Sequence, residues 1–170
     1  MTGHTGFKGS WLSLWLHLLG AKVVGISKNV PTKPSHYDVI KLKKKIKSIK
    51  LDINNQKGLK KILLKHKPDY IFHLAAQALV NRSYQNPVET WTSNTFGTMS
   101  LLESLKYLSK KVTVVLITSD KVYKNLELKR GYKENDILGG YDPYSASKAS
   151  TEILINSYIK SFFNKKNNPI

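Results

Sequence analysis

The sequence predicts an α/β fold, a doubly wound, Rossmann-like parallel sheet whose strands alternate with helices along the chain. Three observations carry this. Short apolar runs recur between helical patterns, and a glycine-rich turn stands directly before the first helix. Late in the chain, Val112–Thr118 (VTVVLIT) is the continuous β-branched run expected of a parallel strand buried on both faces.

The elements follow in order. Lys22–Ser27, Ile49–Asp52, Tyr70–Ala75 and Val112–Thr118 are the expected strands. Trp11–Leu19 is the first helix, and Leu59, Ile62 and Leu63 mark a short second one. A long third helix enters through Pro87, a residue suited to the first helical position, and carries Val88, Trp91, Leu102 and Leu105. The fourth opens at Asp142-Pro143, where the carboxylate can cap and the proline can start the turn. Its apolar face then runs Thr151, Leu154, Ile155, Tyr158 and Phe162. Pro31–Pro34 and Lys124–Asp142 are the irregular stretches, and long loops in small domains are often functional.

A length of 170 residues suits one domain, and 41% hydrophobic residues exclude a mainly disordered chain. The absence of cysteine excludes disulfides and zinc–thiolate sites, so no metal site is expected and a reducing cytoplasm fits. The net charge of +17 invites a nucleic-acid reading. Yet of 28 basic residues only Arg82 and Arg130 are arginine, the side chain that reads bases bidentately. The lysines cluster in Lys41–Lys50, Lys57–Lys67, Lys106–Lys111 and around Lys165, which read as solvated faces. No nucleic-acid partner is expected, since charge alone speaks only to non-specific attraction. Trp11–Leu19 lacks the basic flank and cleavage site of a signal peptide, and no apolar run reaches the roughly 20 residues of a membrane span.

Three constellations can carry chemistry. Thr2-Gly3-His4-Thr5-Gly6-Phe7-Lys8-Gly9 precedes the first helix, where glycines allow a tight turn and close approach of backbone N–H groups to a pyrophosphate. An acidic residue that would hold a ribose 2′-hydroxyl is expected about 20 residues on. That stretch reads Ser27-Lys28-Asn29, which leaves NAD and NADP both open. Tyr144 and Lys148, four apart, share one helix face, and an ammonium beside a phenol favours the phenolate that serves as a general base. Ser119, Asp120 and Lys121 end the late strand, at the sheet edge where α/β folds bind ligands. Read singly, each has an ordinary alternative: a glycine turn, a chance helical pair, a strand-ending turn.

Their order changes that weight. A glycine fingerprint, His73-Leu74-Ala75-Ala76-Gln77, Asn94, Thr118-Ser119-Asp120 and Tyr144-x-x-x-Lys148 form one pattern. It resembles the extended short-chain dehydrogenase/reductase family, in particular its nucleotide-sugar 4,6-dehydratases. Gly6-Phe7-Lys8-Gly9-Ser10-Trp11, Arg82-Ser83-Tyr84, Ser119-Asp120-Lys121 and Gly139-Gly140-Tyr141-Asp142-Pro143-Tyr144 are similar to the branch acting on CDP-glucose. Lys121 is the most telling, because the dTDP-glucose and GDP-mannose branches carry glutamate there.

The resemblance implies a lyase that shuttles a hydride through bound NAD, with NADP not excluded. Tyr144, with Lys148 and Ser119, would deprotonate the sugar 4-hydroxyl; Lys121 would take the C5 proton and Asp120 would protonate the departing 6-hydroxyl. A lysine acts as a base only when its pKa is lowered, which a closed pocket beside Lys148 would assist. Gly3, Thr5, Gly6, Phe7, Gly9, Asp52, Ile53, Leu74, Ala75, Ala76, Gln77, Tyr144 and Lys148 would bind the cofactor, with Asp52 and Ile53 flanking the adenine. Arg82, Ser83 and Asn94 would meet the substrate. A homodimer formed through the third and fourth helices is implied for a full-length enzyme.

The family pattern also has a complete strand before the glycine turn and a C-terminal substrate portion. Here only Met1 precedes Thr2, and the chain stops at Ile170 after a polar tail, Asn164–Pro169. The expectation is therefore an incomplete dinucleotide-binding domain, a fragment with two inner strand edges left bare. The competing readings are a non-catalytic remnant or basic binding module, and a related enzyme such as a nucleotide-sugar epimerase.

Overall fold

In the computed structural model, which describes residues 1–163, the strands pair in parallel because the segments between them, each carrying helix, are long enough to return the chain. The strands are β1 (Val24–Ser27), β2 (Lys47–Lys50), β3 (Tyr70–His73) and β4 (Thr113–Leu116). β1 pairs with β2 in register Val24 to Lys47, and β3 pairs with β4 in register Tyr70 to Thr113, both parallel. The polar tail and the lysines around Lys165 lie outside the described residues.

Met1–Gly3 lies between the two pairs. Thr2 bridges both Ile26 and His73 in the parallel sense, through Thr2 N to Phe72 O (2.9 Å), Leu74 N to Thr2 O (3.2 Å), Ile26 N to Met1 O (2.9 Å) and Gly3 N to Ile26 O (2.8 Å). The spatial order is β2, β1, Met1–Gly3, β3, β4, the doubly wound order predicted from sequence. The inner edges are thus not wholly bare: three residues hydrogen-bond to both.

α1 (Phe7–Leu18) starts four residues before the expected Trp11, at the end of the glycine turn. It buries Gly9, Ser10 and Ser13 and leaves Trp11, Trp15 and Leu18 exposed, so small side chains rather than the apolar run bring it against the sheet. α2 (His36–Val39), capped by Ser35, is a short helix that periodicity did not reveal. α3 (Gln56–His66), capped by Asn55, buries Leu59 and Leu63. The expected long helix is composite. α4 (Val80–Gln85) precedes it, and α5 (Pro87–Trp91) passes through a π-turn at Thr92–Phe96 into α6 (Gly97–Leu105). α7 (Pro143–Tyr158) is capped as expected, with Asp142 Oδ1 accepting from Ser145 N at 3.0 Å.

Two strand expectations need correction. β2 begins two residues before Ile49 and ends before Asp52, because Asp52 turns the chain with Asn54 N on its carboxylate (2.9 Å). β4 is not buried on both faces: it lies at the sheet edge among the described residues, with Val115 and Ile117 exposed. The core sits instead between α3, α6 and the sheet, on Ile26, Ile53, Leu59, Leu63, Ile71, Leu101 and Leu105.

Candidate active site

At two of its glycines, Gly3 and Gly9, the turn leaves no room for a side chain. Gly3 has φ +75°, and a Cβ there would stand 2.7 Å from Ala75 N; a Cβ on Gly9 would stand 2.0 Å from Gly3 O. Gly6 N donates to Gly3 O (3.1 Å), and Gly6 opens α1 with no side chain over the helix end. The resulting concavity, a bare helix N-terminus beside backbone, has the shape and polarity for a dinucleotide pyrophosphate. Close packing of Gly3 on Leu74 and Ala75 also brings the Leu74–Gln77 segment alongside this turn.

His4 and Ser27 set the far side. Ser27 Oγ lies 2.9 Å from His4 Nδ1 and accepts from Thr5 N (3.3 Å), while His4 Nε2 lies 2.7 Å from Ser48 Oγ. The His4 ring occupies the space over Gly25, where a Cβ would come within 2.3 Å, and burial lowers its pKa. Thr5 Oγ1 donates to Asn29 O (2.6 Å), tying the segment after β1 to the turn. Asp52 pairs with Lys28 at 3.2 Å. Burial works against the Asp52 carboxylate, but hydrogen bonds from Asn54 and Lys28 hold it below the usual range. Ile53 is a core residue, its side chain against Gly97, where a Cβ would come within 2.4 Å. Phe7 is exposed.

Tyr144 and Lys148 stand one turn apart on α7, both buried. Lys148 Nζ donates to Ile117 O (3.3 Å), next to the strand end that leads into Ser119. Burial brings the Lys148 ammonium down to about 8, with Glu152 acting against that fall. Thr118 Oγ1 donates to Glu152, a second tie between α7 and the end of β4. Ser119 caps a single 3-10 turn, Asp120–Val122, that packs on α7; its hydroxyl donates to Asp120 Oδ1 (3.0 Å) and accepts from Lys121 N (3.2 Å). The two sequence motifs therefore meet. Lys121 and Asp120, however, are exposed, so the closed pocket expected around Lys121 is not formed by these residues.

Two of the residues expected to meet substrate are buried and hydrogen-bonded within the protein. Asn94 is buried, and its amide is committed: Oδ1 accepts from Gln77 N (2.8 Å), and Nδ2 donates to Gln77 O (3.1 Å) and Ser147 Oγ (2.9 Å). Ser83 is buried and donates to Val80 O within its own helix (2.6 Å). Only Arg82 faces outward, paired with Glu89 (2.9 Å) on an open cleft of about 630 Å³ lined by Leu79, Asn81 and Asn86.

His73 is the site neighbour that the sequence did not single out by itself. Its Nδ1 lies 2.7 Å from Thr2 Oγ1, which accepts from Ala75 N (3.2 Å), and its Nε2 lies 3.1 Å from Thr98 Oγ1. Thr98 Oγ1 in turn donates to Asn94 O (2.7 Å). Donors and acceptors balance along this line only if His73 is neutral and carries its proton on Nε2. Burial, then the charges of Lys148 and the chain N-terminus, lower its pKa to about 3, in agreement. Only its place in the His73–Gln77 motif signalled it.

A parallel sheet, a glycine cradle at its centre and a tyrosine–lysine pair beside a strand end define a Rossmann-type domain. The GDP-mannose 4,6 dehydratase family model matches residues 1–166, and the chain belongs to that family. It is 47% identical over 98% of its length to the CDP-glucose 4,6-dehydratase of Salmonella typhimurium, covering 46% of that protein. A solved UDP-glucose 4-epimerase from Thermotoga maritima, holding UDP-glucose, superposes with a TM-score of 0.81 at 28% identity, over 95% of this chain and 50% of that one. The dTDP-glucose 4,6-dehydratase of Bacillus anthracis, in complex with NAD, gives 0.76 at 25% identity, over 95% and 50%. The chain thus spans about half the length of these relatives. Among the described residues no helix is long and apolar enough to cross a membrane, and no cluster of His, Asp and Glu could hold a metal ion.

Proposed function

We propose that this chain is the dinucleotide-binding, catalysis-bearing portion of a nucleotide-sugar 4,6-dehydratase that acts on CDP-glucose with NAD. One observation carries the reading: the Ser119-Asp120-Lys121 turn packs on the helix that bears Tyr144 and Lys148. A tyrosine–lysine pair alone suits any alcohol oxidation, whereas an adjacent carboxyl and amine add the acid and base that an elimination needs. Identity of 47% to a CDP-glucose 4,6-dehydratase supports the choice of nucleotide.

When bound, NAD supplies the hydride acceptor for the sugar C4 and the donor for C6. The chain's own groups handle protons. Tyr144 takes the proton of the 4-hydroxyl, with Lys148 holding positive charge beside it and Ser119 bonding the developing carbonyl. The ketone acidifies C5–H; Lys121 removes that proton, and Asp120 gives one to the departing 6-hydroxyl. Water leaves, Lys121 returns its proton to C5 as C6 is reduced, the proton on Tyr144 makes up the one Asp120 gave, and CDP-4-keto-6-deoxyglucose results with no net redox change. Lys121 must be enclosed to act as a base, so closure over the exposed Asp120 and Lys121 belongs to this reading.

The polypeptide incubated with NAD and CDP-glucose should give a nucleotide sugar lighter by one water, read by mass spectrometry. A sugar of unchanged mass but altered C4 configuration would assign it to the epimerases instead. Competing dTDP-glucose or GDP-mannose in equal amount should leave the CDP-sugar the preferred substrate.

A further inference from the structure

We propose that Glu152 is a positioning residue of the tyrosine–lysine pair: tethered to the end of β4 by Thr118, its carboxylate supplies the countercharge for the buried Lys148 ammonium beside Tyr144. This rests on the reading of Tyr144 and Lys148 as the proton-handling pair. Two successive residues at the strand end grip two successive turns of α7. Ile117 O accepts from Lys148 Nζ (3.3 Å), and Thr118 Oγ1 donates to Glu152 Oε1. Lys148 and Glu152 are four residues apart, so they share one face of that helix.

A buried ammonium is costly unless opposite charge stands near it. The carbonyl of Ile117, at 3.3 Å, gives Lys148 a long hydrogen bond and no charge. Burial brings the ammonium down to about 8, and Glu152 is the group that acts against this fall. The other charged groups on α7 and on the elements packed against it are engaged or turned outward. Asp142 is committed to the Ser145 cap (3.0 Å), and Arg82 of α4 pairs with Glu89 of α5 (2.9 Å). Glu103 of α6 accepts from Tyr158 (2.7 Å) and Lys106 (3.1 Å). Asp120 and Lys121 are exposed, as is Lys160 beyond the helix end. His73 of β3 is neutral, and the Met1 amine, which donates to Val24 O (2.8 Å), is a cation. Among the described residues Glu152 is therefore the countercharge.

The test is the pH dependence of the urea midpoint of the whole polypeptide, for wild type, Glu152→Gln, Glu152→Asp, Thr118→Val, and Glu152→Gln in a Lys148→Met background. In wild type the Lys148 contribution to stability rises from about pH 8 to pH 10.5. Glu152→Gln removes the charge that favours the ammonium, so this rise should begin about one pH unit lower. Glu152→Asp keeps the charge and should restore most of the wild-type curve. Thr118→Val frees the carboxylate and should displace the curve in the direction of Glu152→Gln, by less. Without Lys148, Glu152→Gln should leave the shape of the curve unaltered. A packing role alone would change every midpoint equally at every pH. Such parallel curves, or a displacement that persists in the Lys148→Met background, would overturn the proposal and leave the dehydratase reading intact. In turnover of CDP-glucose with NAD, the basic limb of the kcat profile should move to lower pH in Glu152→Gln by the same amount. Absence of wild-type turnover would count against the dehydratase reading, while the urea curves, which need no substrate, still decide the coupling.

Discussion

Asn94 Nδ2 lies 2.9 Å from Ser147 Oγ, joining the π-turn of the composite helix to the residue between Tyr144 and Lys148. The same amide clamps Gln77 through its backbone N and O, so one buried side chain fixes three segments around the site. The π-turn assists, since Asn94 O accepts from Thr98 Oγ1 (2.7 Å) and from Thr151 Oγ1 (3.2 Å). Asn94→Ala would leave buried partners unsatisfied and should lower unfolding stability by about 2–4 kcal/mol in urea titration. Turnover should fall as well, through loss of placement of α7.

The buried Lys148 ammonium costs stability. Its pKa falls from 10.5 to about 8 because burial penalises the ammonium. The unfolded chain therefore binds more protons than the folded one between those values, and the contribution of this group to stability rises with pH across that window. Below about 8 the buried charge is a full cost. Lys148→Met should raise the urea midpoint at pH 7, by an amount equivalent to about 1–3 kcal/mol, and the gain should shrink toward pH 10. The same variant should lose turnover.

His73 contributes with the same sign in an acid window. A folded pKa of about 3 against 6.5 unfolded means that the unfolded chain gains a proton first on acidification. Stability from this group is complete above pH 6.5 and declines below it by about 1.4 kcal/mol per pH unit toward pH 3. Unfolding midpoints between pH 7 and 4.5 should fall more steeply for wild type than for His73→Gln. Parallel slopes would remove His73 from the account.

Gly9 is the tightest point of the cradle. A Cβ 2.0 Å from Gly3 O cannot be relieved by a side-chain rotation, because the atom it meets is backbone. Gly9→Ala should therefore abolish measurable dinucleotide binding in calorimetry. Gly20→Ala is the control: no atom lies within 4 Å of its Cβ position, so binding should persist although its φ of +87° costs about 1 kcal/mol of stability.

Local signals carried far in this chain. The glycine turn, the Asp142 cap with Pro143, and the alternation of strands and helices are short-range chemistry, and each is found where the sequence placed it. What escaped was tertiary. Asn94 reads as a polar residue available to a ligand, and only the π-turn and Ser147 53 residues away reveal a buried clamp. β4 reads as buried because its residues are β-branched, yet sheet position, not composition, decides its exposure. α1 inverts the usual pattern, burying glycine and serine where close approach to the sheet matters more than apolar area.

The central claim is that Lys121 and Asp120 turn an alcohol-oxidising site into an eliminating one. The most direct measurement is a single-turnover product analysis of Lys121→Ala with NAD and CDP-glucose, by mass spectrometry and NMR. The account predicts a 4-keto sugar that keeps its 6-hydroxyl, because C4 oxidation depends on Tyr144, Lys148 and Ser119 while elimination has lost its base. A variant that still releases water at the wild-type rate would contradict it.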